Sequence, residues 1–212
     1  MTFWRFWQKS SPVFHSLING RITIGKSYRK MTLFANNIPQ SGGEYVFMWE
    51  KVLKSFDKLS FKPKKCLVLG VGGGTVISEL INNYPRMNIV GVEIDPVMIE
   101  ISLKHFGLES HKNIEIVTQD AVDFVSYERE RKYDLIIVDL YLGLFNPPSV
   151  RSESFLKNLK RIMKSHGVIL YNSHYQKTKH EEYENFTNLA DSIFGQTQEV
   201  FAYPRNRILK LS

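Results

Sequence analysis

Short apolar runs alternate with amphipathic stretches between residues 65 and 172. The apolar runs are rich in β-branched residues and predict five strands, at 66–70, 88–93, 114–117, 133–138 and 167–171. Between them, apolar residues recur at helical spacing and predict helices at 74–84, 96–105, 121–129 and 152–164. This alternation is typical of a doubly wound parallel sheet, so we predict an α/β fold.

A helix and an antiparallel pair of strands are predicted after this region. The helix spans 180–194, and the two strands span 197–203 and 207–211, with a turn at 204–206 between them. This pair would close one edge of the sheet. We therefore expect a mostly parallel sheet of seven strands.

The N-terminal part of the chain has a different pattern. Residues 21–24 and 31–35 flank a polar turn and predict a small β-hairpin, while the apolar positions of 44–57 predict a helix. A short linker at 61–65 follows. We predict a boundary near residue 60, which divides the chain into an N-terminal element at 1–60 and a main domain at 61–212.

A glycine-rich turn ends the first strand of the main domain and opens a helix. Its glycines permit a tight turn and let a ligand approach the backbone closely. The four positions are Gly70, Gly72, Gly73 and Gly74. The second strand ends at Glu93–Ile94, and Asp120–Ala121 follow the third. Because parallel strands end at one edge of a sheet, these acids are placed to bind a ribose and an adenine amine, which predicts a nucleoside site.

The same pattern has two other interpretations. The turn could serve packing alone, with Asp95 and Asp120 acting as helix caps. A dinucleotide fingerprint would require glycine at the position of Thr75, so a nicotinamide cofactor fits poorly. A nucleoside without a pyrophosphate, such as S-adenosylmethionine or a relative, fits the spacing better.

Composition narrows the classes of function. The 28 Lys and Arg residues exceed the 21 Asp and Glu residues, giving a net charge of +7, but they are scattered, so nucleic acid is not the expected partner. Cys66 is the single cysteine, and the six histidines show no metal-binding spacing. No apolar run is long enough to span a bilayer, and the N-terminus lacks a signal-peptide pattern. We expect a cytoplasmic protein that uses no metal.

Aromatic residues are concentrated at the N-terminus. Phe3, Trp4, Phe6 and Trp7 would form a cluster on a helix, and such a cluster must cover something. The domain itself or a second subunit is favoured over a membrane surface. We therefore expect a homodimer.

Four segments of the main domain together resemble a known family. They are the glycine turn CLVLGVGGGTVISEL, the segment VGVEID, the Asp120–Ala121 step and the segment YDLIIVDLY. They are similar to those of the polyamine aminopropyltransferases (spermidine synthases), which share the class I methyltransferase fold. The resemblance extends to the N-terminal hairpin, to the turn around Gln40, to the helix start at Glu44–Tyr45 and to the segment VFAYP before Arg205.

The resemblance implies a transferase that moves an aminopropyl group from decarboxylated S-adenosylmethionine to an amine, as in polyamine biosynthesis. It implies that the glycine turn holds the aminopropyl side of the nucleoside and that Gln40 faces it. Glu93 and Ile94 would bind the ribose, and Asp120 and Ala121 the adenine. Asp139 matches the catalytic aspartate, and Tyr45 and Tyr203 match tyrosines beside the amine. Further candidates for contact with the amine are Tyr141 and His174.

The chain departs from the family pattern on the amine side. The spermidine synthases carry a second acid three residues after the catalytic aspartate, where this chain has Leu142, which cannot bind an ammonium group. Arg205 and Arg207 would repel a cationic diamine if they faced the site. Two alternatives therefore stay open, an S-adenosylmethionine-dependent methyltransferase and a non-catalytic homologue that keeps the nucleoside pocket. The loop 140–151, stiffened by Pro147 and Pro148, is a candidate lid.

Overall fold

The computed structural model of the chain describes residues 12–57 and 61–212 and contains two β-sheets. The aromatic residues of the N-terminus, Phe3 to Trp7, lie outside these described ranges. The homodimer that they suggested stays a prediction, as does the division of the chain near residue 60.

The N-terminal sheet has four antiparallel strands in sequential order. They are β1 (Val13–Ser16), β2 (Gly20–Ser27), β3 (Lys30–Ala35) and β4 (Ile38–Gly42). The expected hairpin is β2–β3, and β1 and β4 extend it to a sheet of four strands. Asn36 and Asn37 adopt positive φ, 48° and 65°, and turn the chain directly into β4. Pro39 is accommodated because β4 is an edge strand.

The main sheet has seven strands in the order β10-β11-β9-β8-β5-β6-β7. They are β5 (Lys65–Leu69), β6 (Asn88–Glu93), β7 (Ile114–Thr118), β8 (Tyr133–Val138), β9 (Met163–His174), β10 (Thr197–Tyr203) and β11 (Asn206–Leu211). Strands β5 to β9 are parallel, and β11 and β10 are antiparallel additions at one edge. This confirms the predicted α/β fold with a mostly parallel sheet of seven strands.

Six α-helices accompany the sheets in the described ranges. They are α1 (Glu44–Asp57), α2 (Thr75–Asn83), α3 (Pro96–Phe106), α4 (Ala121–Tyr127), α5 (Glu153–Ile162) and α6 (His180–Phe194). Each lies where the helical spacing predicted it. The main difference is at β9, which begins immediately after α5 and is longer at both ends than the apolar run at 167–171. No helix in the part of the chain that the structure describes is long and apolar enough to cross a membrane.

Apolar side chains bury both faces of the main sheet. On one face, α4, α5 and α6 pack on alternate residues of the strands, such as Leu67 and Ile136. On the other face, α1 and α2 pack together with Cys66 and Val68. Helix α1 therefore contributes to the core of the main sheet although it follows the N-terminal sheet in sequence. Cys66 is fully buried there.

A buried hydrogen-bond cluster joins the two sheets. The Thr75 hydroxyl, at the first residue of α2, accepts a bond of 2.6 Å from the Gly42 amide and lies 2.7 Å from the Ser41 hydroxyl. Both side chains are buried. The end of β4 is thereby held against the first turn of α2, which directly follows the glycine-rich turn.

We expect Thr75→Val to destabilise the fold by about 1 to 3 kcal/mol, because the buried Gly42 amide would lose its acceptor. Thr75→Ser is the matched control because it keeps the hydroxyl. It should lower the free energy of unfolding less than Thr75→Val does. Urea unfolding followed by circular dichroism measures both free energies of unfolding. Equal stability of the two variants would show that this bond does not hold the junction.

Candidate functional site

A cavity of about 310 Å³ lies at the carboxyl ends of the parallel strands. The chain runs from β5 outward to β7 and then returns to β8 on the other side of β5, so the strand order reverses between β5 and β8. Open α/β sheets bind ligands at such a reversal. The volume is in the range of small-molecule sites.

The tips of β5 and β8 approach so closely that only glycine fits between them. Gly70 has φ of 90°, and a Cβ atom placed on it would lie 2.2 Å from the Asp139 carbonyl oxygen. The Asp139 amide in turn donates to the Leu69 carbonyl over 2.8 Å. The glycine turn and Asp139 are therefore adjacent parts of one cavity wall.

Glu93 joins the tip of β6 to the glycine turn. Its Oε2 accepts hydrogen bonds from the amides of Val71 (3.1 Å) and Gly72 (2.9 Å), and its Oε1 accepts one from the Asp95 amide (3.0 Å). Burial raises the pKa of this carboxyl, and the three backbone donors oppose the rise. A carboxylate has about four acceptor sites, so capacity remains for a ligand hydroxyl.

Two further acids at the strand tips cap helices, as the packing interpretation proposed. Asp95 accepts from the Val97 amide at the start of α3, and also from the side chains of Asn19 and of Ser16, the last residue of β1. Asp120 caps α4 through Oδ1 and also lines the cavity. Capping and ligand binding are thus compatible for Asp120, because its second carboxylate oxygen stays available.

Asp139 is the carboxylate at the centre of the site. Its Oδ2 accepts a bond from the Trp49 indole (3.2 Å), and its Oδ1 accepts one from the Asn172 amide group (2.8 Å). Burial raises the pKa of Asp139 to about 6, and these two neutral donors offset only part of the effect. Asp139 therefore changes between carboxylate and carboxylic acid close to neutral pH.

A network of neutral polar groups extends from Asp139 toward β11. Asn172 accepts from the Tyr141 hydroxyl (3.1 Å), and the Asn206 amide group donates to both of these oxygens (2.9 and 3.0 Å). Asn172 and Asn206 are buried, and both line the cavity with Tyr141. Sequence reasoning missed Trp49, Asn172 and Asn206. The signal available for Asn172 was its position at the end of a strand, while Trp49 resembled an ordinary apolar helix position.

Tyr45 lines the same end of the cavity, where charges of both signs act on its hydroxyl. Burial and the neighbouring Asp139 raise its pKa to about 12, while Arg205 acts in the opposite direction. Arg205 lines the cavity as well. Tyr203, the other tyrosine matched to the amine site, donates instead to the Glu44 carboxylate over 2.8 Å.

The loop 140–151 is tied to the end of β9. The Asn146 side chain donates through Nδ2 to the backbone carbonyls of Leu140 (2.8 Å) and Asn172 (3.0 Å). The backbone N–H of Asn146 donates to Nδ1 of His174 (3.0 Å). Burial lowers the pKa of His174 to about 4, so the ring is neutral and can accept this bond. On the other side, Gln40 donates to the Gly143 carbonyl over 3.2 Å. The loop thereby forms part of the cavity wall.

Most of the sequence-predicted residues meet at this cavity. Those that line it are Gln40, Tyr45, Gly70, Gly72, Glu93, Ile94, Asp120, Ala121, Asp139 and Tyr141. Four others lie outside the lining. Gly73 leaves room for Ser41, and Gly74 for Leu108, so both serve packing. His174 supports the loop, and Tyr203 faces Glu44. Among the residues described, no group of three or more His, Cys, Asp or Glu side chains could hold a metal ion.

The family model of the spermine/spermidine synthase domain matches residues 46–206. The chain belongs to this family. It is 32% identical over 137 residues to a polyamine aminopropyltransferase of Vibrio vulnificus, covering 64% of this chain and 45% of that protein. It is also 34% identical over 117 residues to the eEF1A lysine and N-terminal methyltransferase homolog of Drosophila melanogaster, covering 51% of this chain and 17% of that protein. The chain thus spans less than half the length of either relative.

The fold of this family member is also that of a solved structure. A probable spermidine synthase from Corynebacterium glutamicum superposes with a TM-score of 0.80 at 16% sequence identity, covering 95% of this chain and 80% of that one. At this identity the likeness establishes the fold alone.

We expect Gly70→Ala to damage both the fold and the cavity, because its methyl group would collide with the Asp139 carbonyl. Gly107→Ala is the matched control, since Gly107 has φ of 78° but open space around its Cβ position. The control should cost about 1 to 2 kcal/mol from backbone strain alone. Gly70→Ala should lower the free energy of unfolding clearly more than the control does. It should also weaken the binding of methylthioadenosine at least about tenfold, which corresponds to about 1.4 kcal/mol. Urea unfolding and titration calorimetry measure the two effects, and equal behaviour of the variants would contradict the close-approach argument.

Proposed function

We propose that this protein is an S-adenosyl-nucleoside-dependent transferase that moves an aminopropyl group from decarboxylated S-adenosylmethionine to an amine. The observation that carries the proposal is the single cavity shared by a nucleoside end, with Glu93 and Asp120, and an acceptor end, with the desolvated Asp139. Family membership supports it. The polyamine aminopropyltransferase of Vibrio vulnificus supports the aminopropyl assignment.

The chemistry of the nucleoside end fits an adenosyl group. Glu93 retains acceptor capacity suited to the ribose hydroxyls, and Asp120 presents its free oxygen to the adenine amine. At Gly72, the nearest atom to an added Cβ would be 3.8 Å away, so the backbone leaves room for the sulfonium side of the ligand.

The acceptor end is suited to deprotonating an amine. The amine nitrogen attacks the methylene carbon bonded to sulfur, the carbon–sulfur bond breaks, and sulfur keeps the electron pair as a neutral thioether. The amine must release a proton, and the Asp139 carboxylate accepts it. Trp49 and Asn172 fix the direction of the carboxylate without a cationic partner, which leaves its charge for the substrate. Positioning of the two reactants supplies the rest of the acceleration.

Methyl transfer from S-adenosylmethionine is the second candidate. The relative named as a methyltransferase in Drosophila melanogaster supports it. Leu142 also supports it, since this exposed apolar residue stands where the spermidine synthases have their second acid. The sulfonium chemistry is the same for either group. What differs is whether the donor carries a carboxylate and which carbon is attacked.

Binding and product analysis distinguish the two candidates. We expect the protein to bind decarboxylated S-adenosylmethionine more tightly than S-adenosylmethionine in titration calorimetry, and to release methylthioadenosine with an amine present. Release of S-adenosylhomocysteine, with a methylated acceptor in the mass spectrum, would replace aminopropyl transfer by methyl transfer. Failure of both donors to bind would refute the transferase proposal and favour the non-catalytic homologue.

Asp139 predicts the pH dependence of the reaction. Since its pKa is raised to about 6, the carboxylate that accepts the proton is lost as the pH falls through that value. We expect kcat/KM to fall about tenfold per pH unit below about pH 6. Asp139→Asn should lower kcat about 100-fold to 10,000-fold and remove this acidic limb.

The control for this variant is Asp123→Asn, an exposed acid of α4 outside the cavity lining. It should keep both the activity and the pH profile. Both variants should bind methylthioadenosine as the wild type does, within about threefold, a ratio that corresponds to less than 1 kcal/mol. An unchanged kcat in Asp139→Asn would exclude this aspartate as the base.

The cytoplasmic location and the homodimer stay predictions of the sequence. The proposed acceptor is a small amine.

A further inference from the structure

Arg205 occupies a tight turn at the acceptor end of the cavity. Strands β10 and β11 pair from Tyr203 to Asn206, so Pro204 and Arg205 form a two-residue turn. Pro204 restricts the backbone of this turn, and the Arg205 carbonyl accepts a hydrogen bond of 2.8 Å from the Tyr175 amide. The backbone position of Arg205 is therefore fixed, although its side chain is exposed.

Among the described residues, the Arg205 guanidinium has neither a hydrogen bond nor an ion pair, although its charge acts on Tyr45. Arg207, two residues further on, differs in this respect. It lies 3.5 Å from the Glu199 carboxylate and stacks on the Tyr175 ring at 3.8 Å, and it does not line the cavity. Of the two arginines in this hairpin, Arg205 is the one that offers an uncompensated positive charge to the cavity.

The other charge at this end of the cavity is Asp139. The side chains around it are neutral, namely Tyr45, Tyr141, Asn172 and Asn206, and Leu142 is apolar. Glu44, the carboxylate next in sequence to Tyr45, accepts the Tyr203 hydroxyl and is not part of the lining. The lining of the acceptor end thus includes one carboxylate and one guanidinium, and both act on Tyr45.

We propose that Arg205 determines acceptor specificity by binding an anionic group, so that the acceptor is an amine that also carries a carboxylate. This inference rests on the transferase function proposed above and names its acceptor class. The amine end of such a molecule lies at Asp139, and its carboxylate pairs with Arg205, which matches carboxylate geometry with two parallel hydrogen bonds. A diamine would instead bring its second ammonium group toward Arg205 with no carboxylate to receive it.

A carboxylate near Arg205 has two chemical sources. One is the acceptor, and the other is the methionine tail of S-adenosylmethionine, which the decarboxylated donor lacks. Arg205 is next in sequence to Asn206, which belongs to the polar network that reaches Asp139 from β11. This position favours the acceptor as the source of the carboxylate. The experiment below includes an arm for each source.

The test uses the full chain saturated with methylthioadenosine, which fills the nucleoside end and leaves the acceptor end open. Titration calorimetry then compares γ-aminobutyrate with putrescine, a pair that differs only in a carboxylate in place of an aminomethyl group. We expect the wild type to bind γ-aminobutyrate at least about tenfold more tightly than putrescine. This ratio follows because the attraction between a carboxylate and Arg205 is replaced, in putrescine, by the repulsion between an ammonium group and Arg205 at an exposed site. Arg205→Gln should abolish the preference, and Arg205→Glu should reverse it.

Arg207→Gln is the matched control from the same hairpin and should keep the preference. Thermal unfolding of all variants shows whether each is folded. The donor arm compares S-adenosylhomocysteine with methylthioadenosine in the wild type and in Arg205→Gln. Selective weakening of S-adenosylhomocysteine about tenfold by this substitution would assign the carboxylate to the donor and overturn the acceptor assignment.

The remaining outcomes separate this inference from the function on which it rests. If methylthioadenosine binds but putrescine is preferred, or if neither amine binds, the inference about Arg205 fails and the nucleoside site stands. A preference for γ-aminobutyrate that persists in Arg205→Gln also overturns it. If methylthioadenosine itself does not bind to the folded wild type, the transferase function fails, and the acceptor class falls with it.

Discussion

The contact between the tips of β5 and β8 determines the arrangement of the site. Because Gly70 has no side chain, the Asp139 carbonyl can lie where a Cβ atom would otherwise be, only 2.2 Å from that position. The backbone on one side of this contact forms the glycine turn, and the side chain on the other side is the proposed base. In the proposed reaction, a nucleoside held by the turn has its sulfonium carbon beside Asp139. Glu93 extends the same arrangement to β6, because it holds the Val71 and Gly72 amides.

The surroundings of Asp139 combine a cost to stability with a benefit to chemistry. Neutral donors, Trp49 and Asn172, orient the carboxylate but do not cancel its charge. Since burial raises its pKa to about 6, the ionised form is disfavoured in the folded state, and this group stabilises the fold less as the pH rises through that value. In the proposed reaction, the same shift makes Asp139 a base suited to a pH near neutral. A paired arginine or lysine would stabilise the carboxylate and reduce its basicity.

The two ends of the cavity differ in how closely they follow the family pattern. At the nucleoside end, the strand tips carry the glycines and acids that the pattern requires. At the acceptor end, Leu142 removes one carboxylate and Arg205 adds a positive charge. The family name therefore identifies the fold and the nucleoside chemistry better than it identifies the acceptor. Substrate selection in such a site depends on a few side chains around a conserved kind of scaffold, because loops and turns can change without altering the sheet.

The sequence by itself determined the α/β alternation, the edge of the sheet that carries the candidate site and the acids at three strand tips. These features follow from local periodicity and from the fact that parallel strands end at one edge. Only the tertiary structure decided which residues complete the site. Trp49, Asn172 and Arg205 come from a helix, a strand end and a hairpin turn that are far apart in the chain, and their types are equally common at positions with no function. The structure also shows that the glycines of the turn differ in role. Gly70 and Gly72 line the cavity, whereas Gly73 and Gly74 allow close packing of Ser41 and Leu108. The physical reason is that a spacing pattern fixes which side of an element a residue occupies, whereas its partner depends on how elements from distant parts of the chain pack.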